Sequence, residues 1–418
     1  MKEVLSYSLG DVSWSLSTTD GGLTKTNKSA LMAAIEKDLE KDTCYLKFDD
    51  LGNLGITAVI VDGMAEIQAI KPAATFGELA ESLLRRLSNI SDTYKCSRID
   101  FVCDTYPSLS IKGLERQRQG AARGSNTFTL HSQAQRVPIG YQAYLSEGAN
   151  KEALVRFLHS HWPRVQLFKY LVVLIAYGNQ CFEITFRKDT PATVREIAEL
   201  ECDHEEADTR LILHAKHTME AQDTTVIVKC QDTDVLMICL AMVHKLPSQK
   251  LIYFTGKGDR MRYIDIGRSA NQLTQQFCEA LLGLHAISGC DTVSSFYGKG
   301  KRKVYQLLKD HPEFIQPLQY FGQTFTPTSR QLAQIEVLVC RLYKIETSDI
   351  NEARYAVYCS PNKVSQQGLP PTKDELNLHV SRACYQTAIW RKSDMAHISA
   401  PSPSGHGWII VDDHICIK

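Results

Sequence analysis

The chain has 418 residues, with 47 Lys and Arg against 47 Asp and Glu, so its formal net charge at pH 7 is zero. Hydrophobic residues make up 44% and charged residues 22% of the chain, a globular composition that excludes disorder throughout. Neutrality also excludes a uniformly basic nucleic-acid coat protein. The length predicts two or three folding units, or one large unit with appendages.

Neither a membrane span nor a secretion signal is visible in the sequence. The longest apolar run, at 170–177, is far shorter than the roughly 20 residues that a membrane-spanning helix needs. The N-terminus lacks the apolar core of a signal peptide. The 13 cysteines are scattered and form no CxxC pair, which is typical of reduced thiols. We therefore expect an intracellular protein without a membrane partner.

Residues 1–55 are predicted to form an N-terminal appendage of turn-rich composition, with one short helix over 29–40. Two runs of apolar and β-branched residues follow, at 56–62 and 98–104, and each ends in an aspartate. Runs of this length and composition predict buried strands. The amphipathic pattern between them predicts a helix over 76–87.

Residues 112–200 are predicted as a basic insertion, because 112–136 holds five Lys and Arg against one Glu. Downstream, helices and apolar strands alternate again, which predicts an α/β fold with a mostly parallel sheet covered by helices on both faces. The predicted helices are 204–219, 235–243 and 272–284, and the predicted strands are 225–230, 251–254 and 262–266. A C-terminal appendage of unknown role, 311–418, carries further helices near 330–343 and 373–391.

Acidic residues follow the predicted strands at the points where the strands end. Asp62 and Asp104 close the first two strands, and Asp232 and Asp234 follow the third. Because open α/β sheets bind ligands beyond the carboxyl ends of their strands, we expect these side chains to meet at one edge. Two further acidic groups, at 205–208 and at position 291, lie next to predicted helices and could join them.

A converging cluster of carboxylates repels itself and is tolerated mainly when cations occupy it. Oxygen ligands without matching His or Cys select Mg²⁺ or Mn²⁺, and two such ions about 3.5–4 Å apart can clamp the attacking and leaving oxygens of a phosphodiester. Each acid also has an ordinary structural role open to it, as a turn residue or a helix cap. The coincidence of five acidic groups at such ends favours a shared metal site.

The group at 205–208 raises a question of geometry. Positions two apart on a regular helix point about 200° from each other, so Glu206 and Asp208 face one ion together only if the helix begins after Glu206. Glu205 and Asp208, three apart, share a helix face. We take Glu206 and Asp208 as the ligands and keep Glu205 as the substitute.

The order of these motifs resembles the flap-endonuclease/XPG-like branch of the PIN-like structure-specific nucleases. The likeness spans about 58–310 and consists of two strands that end in Asp, a basic segment, Glu-Ala-Asp opening a helix, Asp-x-Asp after a strand, and Gly-x-Asp before a helical hairpin. In this chain the motif residues are Asp62-Gly63, Asp104 with Pro107, 112–118, Glu206-Ala207-Asp208, Asp232-Thr233-Asp234 and Gly289-Cys290-Asp291.

The resemblance implies a PIN-like three-layer α/β/α nuclease domain over 56–310 that uses two Mg²⁺ or Mn²⁺ ions. It also implies that Lys112 and one of Arg116 or Arg118 approach the scissile phosphate. The implied metal ligands or outer-sphere acids are Asp62, Asp104, Glu206, Asp208, Asp232, Asp234 and Asp291. This chain departs from the family in the roughly 55 residues before the first strand and in its unmatched tail.

A second basic group follows a glycine turn in the segment 288–310, which is predicted as a helical hairpin. Its glycines permit close backbone approach, and the following helix N-terminus offers free N–H groups to a phosphate. Such a hairpin would hold duplex DNA by its backbone without reading bases. The residues assigned to this contact are Gly298, Gly300, Lys301, Arg302 and Lys303. The ordinary alternative is a solvated basic helix face.

Together these patterns predict a Mg²⁺-dependent endonuclease that hydrolyses phosphodiester bonds in branched or single-stranded DNA by a two-metal mechanism with water as nucleophile. Two alternatives remain open. One is a nuclease-derived DNA-binding or scaffold protein without turnover, and the other is a PIN-type ribonuclease with RNA as its partner. A DNA substrate would imply residence in the nucleus.

Overall fold

The computed structural model describes residues 1–107, 110–113, 128–221, 224–361, 364–411 and 414–417. A nine-stranded sheet runs through its centre, and a two-stranded hairpin lies near the C-terminus. The strands of the sheet are β1 Tyr45–Leu46, β2 Ile56–Asp62, β3 Arg98–Val102, β4 Leu171–Tyr177, β5 Gln180–Arg187, β6 Thr190–Glu196, β7 Thr225–Lys229, β8 Leu251–Thr255 and β9 Arg262–Asp265. The hairpin pairs β10 Trp408–Val411 with β11 His414–Ile417.

The order across the sheet is β1-β9-β8-β7-β2-β3-β4-β5-β6. The five central strands, from β8 to β4, pair in parallel. Strands β9 and β5 are antiparallel to this block, and β1 and β6 are antiparallel to them in turn. Five central strands plus these two outer ones make seven of nine strands that point the same way, so the predicted mostly parallel sheet is confirmed.

Helices lie before, between and after the strands of the sheet. They are α1 Lys2–Leu5, α2 Ser29–Asp38, α3 Lys41–Cys44, α4 Phe48–Leu51, α5 Gly63–Ala69, α6 Phe76–Tyr94, α7 Tyr141–Tyr144, α8 Gly148–His161, α9 Ala207–Ala221, α10 Thr233–Met242, α11 Ile266–Leu273, α12 Gln275–Ile287, α13 Lys301–Asp310, α14 Ile315–Gln319, α15 Ser329–Leu342, α16 Ile350–Tyr358 and α17 Lys373–Arg391. In the part of the chain that the structure describes, no helix combines the length and the hydrophobicity that crossing a bilayer requires.

Alternate residues of the central strands pack on opposite faces of the sheet, as the period of a β-strand dictates. Val59 and Val61 of β2 join one hydrophobic cluster with α6 and α8. Ile60 joins the other cluster, together with α9, α10 and α12. Buried apolar side chains on both faces explain the continuous apolar strands, and they give the predicted three-layer α/β/α arrangement.

The structure departs from the predicted division into appendages and insertion. Within the predicted basic insertion, residues 171–196 form three strands of the central sheet, and β4 pairs in parallel with β3. Leu31 of the N-terminal segment and Phe321 and Trp390 of the tail belong to the same hydrophobic cluster as α10. Both terminal segments therefore bury apolar surface against the helices that cover one face of the sheet.

Candidate metal centre

The predicted acids lie where the strand order reverses. The chain proceeds from β2 to β3 and β4 on one side, whereas β7 and β8 lie on the other side of β2. Asp62 is the last residue of β2, Asp104 follows β3, and Asp232 follows β7. Parallel pairing of these strands brings their carboxyl ends to one edge, which is the position where open α/β sheets bind ligands.

Two of these aspartates also cap helices. Asp62 Oδ1 accepts a hydrogen bond from the Ala65 N–H (3.0 Å) at the start of α5. Asp232 Oδ1 accepts from the Asp234 N–H (2.9 Å) at the start of α10. Both residues therefore have the ordinary capping role that the sequence allowed. The capping bond holds one carboxylate oxygen of each in a fixed direction.

Helix α9 begins at Ala207, after Glu206, so Glu206 and Asp208 are free of the constraint that a regular helix would impose. The Ala207 N–H donates to Asp104 Oδ1 (2.9 Å), which ties the start of this helix to the end of β3. Lys112 Nζ lies 2.8 Å from Glu206 Oε2 and 3.7 Å from Asp208 Oδ2. Glu205 instead accepts a hydrogen bond from Ser110. The late helix start that this choice required is present, and the ligand role of Glu206 and Asp208 remains a prediction.

Acids at the starts of α9 and α10 and in the loop after α12 meet in one cluster, which we call the acid cluster: Glu206, Asp208, Asp232, Asp234 and Asp291. Carboxylate oxygens of Asp208, Asp232 and Asp234 lie within 4.8 Å of one another. Asp291 joins them through two lysines, since its Oδ1 is 2.7 Å from Lys28 Nζ and its Oδ2 is 3.9 Å from Lys112 Nζ. All seven predicted acids thus gather at one edge of the sheet, with Asp62 and Asp104 beside the cluster.

Burial and mutual repulsion raise the pKa values of four of these carboxyls, those of Asp62, Glu206, Asp208 and Asp232. Burial raises the pKa of Asp62 to about 6, and the negative charge of Asp104 adds to the effect. Burial likewise raises the pKa of Asp232 to about 6, with Asp234 adding and Lys28 opposing. Burial also raises the pKa of Asp208 well above its usual range despite the nearby Lys112. The folded chain therefore disfavours full ionisation of this edge.

The pKa of Asp234 moves in the opposite direction because this residue has its own partners. Its Oδ1 is 2.8 Å from His285 Nε2, and its Oδ2 is 2.8 Å from Lys28 Nζ. Burial raises the pKa of Asp234, but the bond with His285 and the charge of Lys28 outweigh burial and leave the pKa well below its usual range. The His285 ring stacks on Trp390 of α17, so the C-terminal segment packs against the histidine that contacts Asp234.

The composition of the acid cluster fits a hard divalent cation. Five carboxylates share two ammonium groups, those of Lys28 and Lys112, among the residues that the structure describes. Asp208 Oδ2 is buried and accepts no hydrogen bond from that part of the chain. An all-oxygen donor set with surplus negative charge and an unsatisfied buried oxygen could hold a divalent cation.

The predicted basic residues differ in their placement. Lys112 pairs with the acid cluster, whereas Arg116 and Arg118 lie outside the described residues. An added Cβ at Gly298 or Gly300 would have no heavy atom within 4 Å, so a ligand can approach the backbone there. Arg302 and Lys303 are exposed at the start of α13. Their role in DNA binding remains a prediction.

The predicted phosphate contact of Lys301 does not agree with the structure. Its side chain is buried, 1% exposed, and Nζ donates to the carbonyl oxygen of His285 (2.7 Å) and to Ser288 Oγ (3.0 Å). Its charge is directed into the protein, so it is not available to a phosphate on this surface. The run Lys301-Arg302-Lys303 could not reveal this, because only the helix packing determines which of three successive basic residues turns inward.

The sequence motifs include neither of two further residues at this site, Lys28 and His285. Lys28 lies in the N-terminal segment, more than 200 positions before Asp234, and no motif surrounds it. His285 contacts Asp234 from α12, and its Nδ1 has no hydrogen-bond partner among the described residues. The sequence offers His285 only as one of three candidate metal ligands with Cys278 and Cys290, and three such ligands are too few for a structural zinc site.

Comparison with family models and with curated proteins found no match. Solved structures similar to this chain include the bacteriophage T5 D15 protein co-crystallised with metal ions, at 14% identity and a TM-score of 0.35, covering 78% of this chain and 99% of that one. The catalytic core of Rad2 in complex with a DNA substrate matches at 12% identity and a TM-score of 0.35, covering 82% and 92%. Another match is a variant of the T5 D15 flap endonuclease in a complex with DNA and metal ions, at 14% identity and a TM-score of 0.34, covering 78% and 99%.

Proposed function

We propose that this chain is a divalent-cation-dependent nuclease that hydrolyses phosphodiester bonds in branched or single-stranded DNA. The observation that carries the proposal is the gathering of seven acids, contributed by segments far apart in sequence, at the carboxyl edge of the sheet. Caps and turns account for single acids at strand ends. They do not account for five carboxylates that share only two ammonium groups among the described residues. They also do not account for a buried oxygen of Asp208 that has no hydrogen-bond partner there.

In this proposal Asp208, Asp232 and Asp234 are the principal cation ligands, with Asp62, Asp104, Glu206 and Asp291 as further ligands or outer-sphere acids. Two bound Mg²⁺ or Mn²⁺ ions would supply an activated water and neutralise the charge on the leaving oxygen. The chain itself contributes the fixed carboxylates, held in place by the capping bonds of Asp62 and Asp232. Lys112 brings a positive charge to the same edge, where the scissile phosphate would lie.

Substrate binding would rest on the exposed start of α13. Arg302 and Lys303 stand beside the open backbone of Gly298 and Gly300, and this surface suits the phosphates of one DNA strand. Contacts of this kind are independent of base sequence and weaken with salt. A preference for DNA over RNA rests on this glycine-turn-helix alone.

The direct test is cleavage of a labelled flap substrate by the purified full chain. We expect products with Mg²⁺ or Mn²⁺ and none in EDTA. Offering the same branched substrate as DNA and as RNA separates a deoxyribonuclease from a ribonuclease. Binding without cleavage in every metal, together with no rise in melting temperature on adding Mn²⁺, would instead identify a scaffold protein.

Asp232→Ala is the variant that locates the activity. It removes one carboxylate of the acid cluster, and losing a few kcal/mol of transition-state stabilisation lowers cleavage by about 10²–10³-fold. DNA affinity, measured by fluorescence anisotropy, should change much less because Arg302 and Lys303 remain. Equal cleavage rates for the wild type and for Asp232→Ala would refute the site.

A further inference from the structure

The ammonium of Lys28 is enclosed by three carboxylates of the acid cluster. Nζ lies 2.8 Å from Asp234 Oδ2, 2.7 Å from Asp291 Oδ1 and 3.6 Å from Asp232 Oδ1, and the side chain is only 19% exposed. Three carboxylate oxygens around one cation form the kind of environment that a bound divalent ion would have. The Lys28 ammonium therefore occupies a position where these three oxygens could instead bind a divalent ion.

The fold delivers Lys28 to this position through firm backbone contacts. Lys28 directly precedes α2, whose Leu31 and Ile35 are buried in the hydrophobic cluster. Four residues upstream, the Thr24 carbonyl accepts hydrogen bonds from the Ser295 N–H (2.8 Å) and from Ser295 Oγ (3.0 Å). The N-terminal segment is thus hydrogen-bonded to the loop that follows Asp291, and the Lys28 ammonium lies at the end of a flexible four-carbon stem.

The two lysines divide the acid cluster between them. Lys112 forms ion pairs with Glu206 and Asp208, and Lys28 forms ion pairs with Asp232 and Asp234. The two carboxylate oxygens of Asp291 each lie near a different one of these lysines. Asp208 Oδ2 has no hydrogen-bond partner among the described residues, and the nearest ammonium, Lys112 Nζ, is 3.7 Å from it. One part of the site thus offers an unsatisfied oxygen, whereas the other is already filled by the Lys28 ammonium.

We propose that Lys28 is a built-in competitor for one of the two divalent ions. The first ion binds on the Asp208 side, and the second binds at Asp232, Asp234 and Asp291 only by displacing the Lys28 ammonium. The N-terminal segment, for which the sequence offered no role, then sets how much divalent cation is needed to fill the site. This inference rests on the proposed metal site and assigns a function to a residue outside every motif.

The test is Mn²⁺ binding, measured by calorimetry and by electron paramagnetic resonance at constant ionic strength. Lys28→Met keeps the length of the side chain but removes the charge. Removing a competing unit charge at about 4 Å should strengthen the weaker binding step by about tenfold or more. Lys25→Met is the matched control, because Lys25 lies in the same segment, is exposed, and donates to the backbone oxygen of Asp291 (3.1 Å). It should leave both steps nearly unchanged.

A second measurement needs no variant. In the wild type, the reactivity of Lys28 towards acetic anhydride, mapped by mass spectrometry, should rise severalfold when Mn²⁺ displaces the ammonium into solvent, while that of exposed Lys309 stays constant. This readout decides the matter even if Lys28→Met fails to fold.

The possible failures are distinguishable. Two Mn²⁺ steps in the wild type that Lys28→Met leaves unchanged or weakens would overturn the role of Lys28 and leave the metal site intact. An unchanged acetylation of Lys28 would have the same meaning. No Mn²⁺ binding by the wild type or by Lys28→Met would overturn both the competitor role and the proposed function.

Discussion

Two buried carboxylates near strand β3 differ in their surroundings. Asp100 lies within the strand, whereas Asp208 lies on α9, whose start is hydrogen-bonded to Asp104 after the strand. Asp100, in the middle, is fully buried and accepts two 2.7 Å hydrogen bonds from Arg98 and one of 2.7 Å from His214. These partners outweigh burial and hold the pKa of Asp100 well below its usual range. Asp208 on α9 is also buried, yet its pKa is raised and one of its oxygens has no hydrogen-bond partner among the described residues.

The contrast separates a structural charge from a functional one. Where a buried carboxylate serves only the fold, the chain supplies enough donors to satisfy it, as at Asp100. At the edge of the sheet the chain leaves carboxylates in excess, which costs stability in the absence of cations. A folded chain tolerates such a cost at sites where a ligand compensates for it, so the excess itself points to a function.

Asp100→Asn should give the largest change in stability. The substitution leaves Arg98, whose side chain is 17% exposed, without its charged partner, and breaking a buried pair in this way costs about 3–5 kcal/mol. Urea denaturation measures the free energy of unfolding. Asp92→Asn is the control, because Asp92 pairs with Lys169 at 65% exposure and should cost less than about 1 kcal/mol. Equal effects of the two substitutions would contradict a structural role for the Asp100 network.

The same network should make the fold sensitive to acid. Burial lowers the pKa of His214 to about 4, although the bond with Asp100 opposes the shift. The unfolded chain takes up this proton below about pH 6.5 while the folded chain stays neutral, so stability falls as the pH drops from 6.5 towards 4. Between pH 7 and pH 5 the wild type should lose on the order of 2 kcal/mol more than His214→Gln. An identical loss in both proteins would show that another group dominates.

Asp208→Asn should act in the opposite direction to Asp100→Asn. The amide keeps the shape of the side chain and removes a charge that the folded chain disfavours. The metal-free protein should therefore gain about 1 kcal/mol, seen as a rise of about 1–2 °C in melting temperature. The same variant should show a smaller rise than the wild type when Mn²⁺ is added. Destabilisation of the metal-free protein by Asp208→Asn would contradict the contrast between the two regions.

The smallest effect is expected on the basic surface. Arg302→Gln should weaken DNA binding a few-fold and lower the slope of log affinity against log salt by about 1. Lys309→Gln, on the same helix, is the comparison, because Lys309 pairs with Asp38 at 2.7 Å and should leave the slope unchanged. Anisotropy titrations over a range of salt concentrations distinguish the two. Equal slopes for both variants would place the DNA contact elsewhere.

The sequence predicted most of what local pattern determines. Continuous apolar runs identified β2, β3 and β7, and the rule that ligands bind beyond strand ends brought Asp62, Asp104 and Asp232 together. The late start of α9 was open from sequence, because whether Glu206 is the first helical residue depends on the hydrogen bond between Ala207 and Asp104. That contact joins residues about a hundred positions apart, and no periodicity reports it.

The remaining features arise from tertiary packing. Strand β6 is exposed along nearly its whole length, so it lacks the apolar run that identified the central strands. Strand β4 has such a run, but at 170–177 it was considered only as a membrane span and was placed within the insertion. His214 reaches Asp100 only because α9 packs across β3. Lys28 and the inward turn of Lys301 likewise follow from which helix faces meet the core. Such long-range choices carry no local signature that one sequence can show.

Anomalous diffraction from crystals soaked in Mn²⁺ tests the central claim most directly. The account predicts at least one strong peak within coordination distance of Asp208 and Asp232, with weaker or absent density in crystals of Asp208→Asn. Manganese bound elsewhere on the protein, or a wild-type acid cluster without a peak at saturating Mn²⁺, would contradict it.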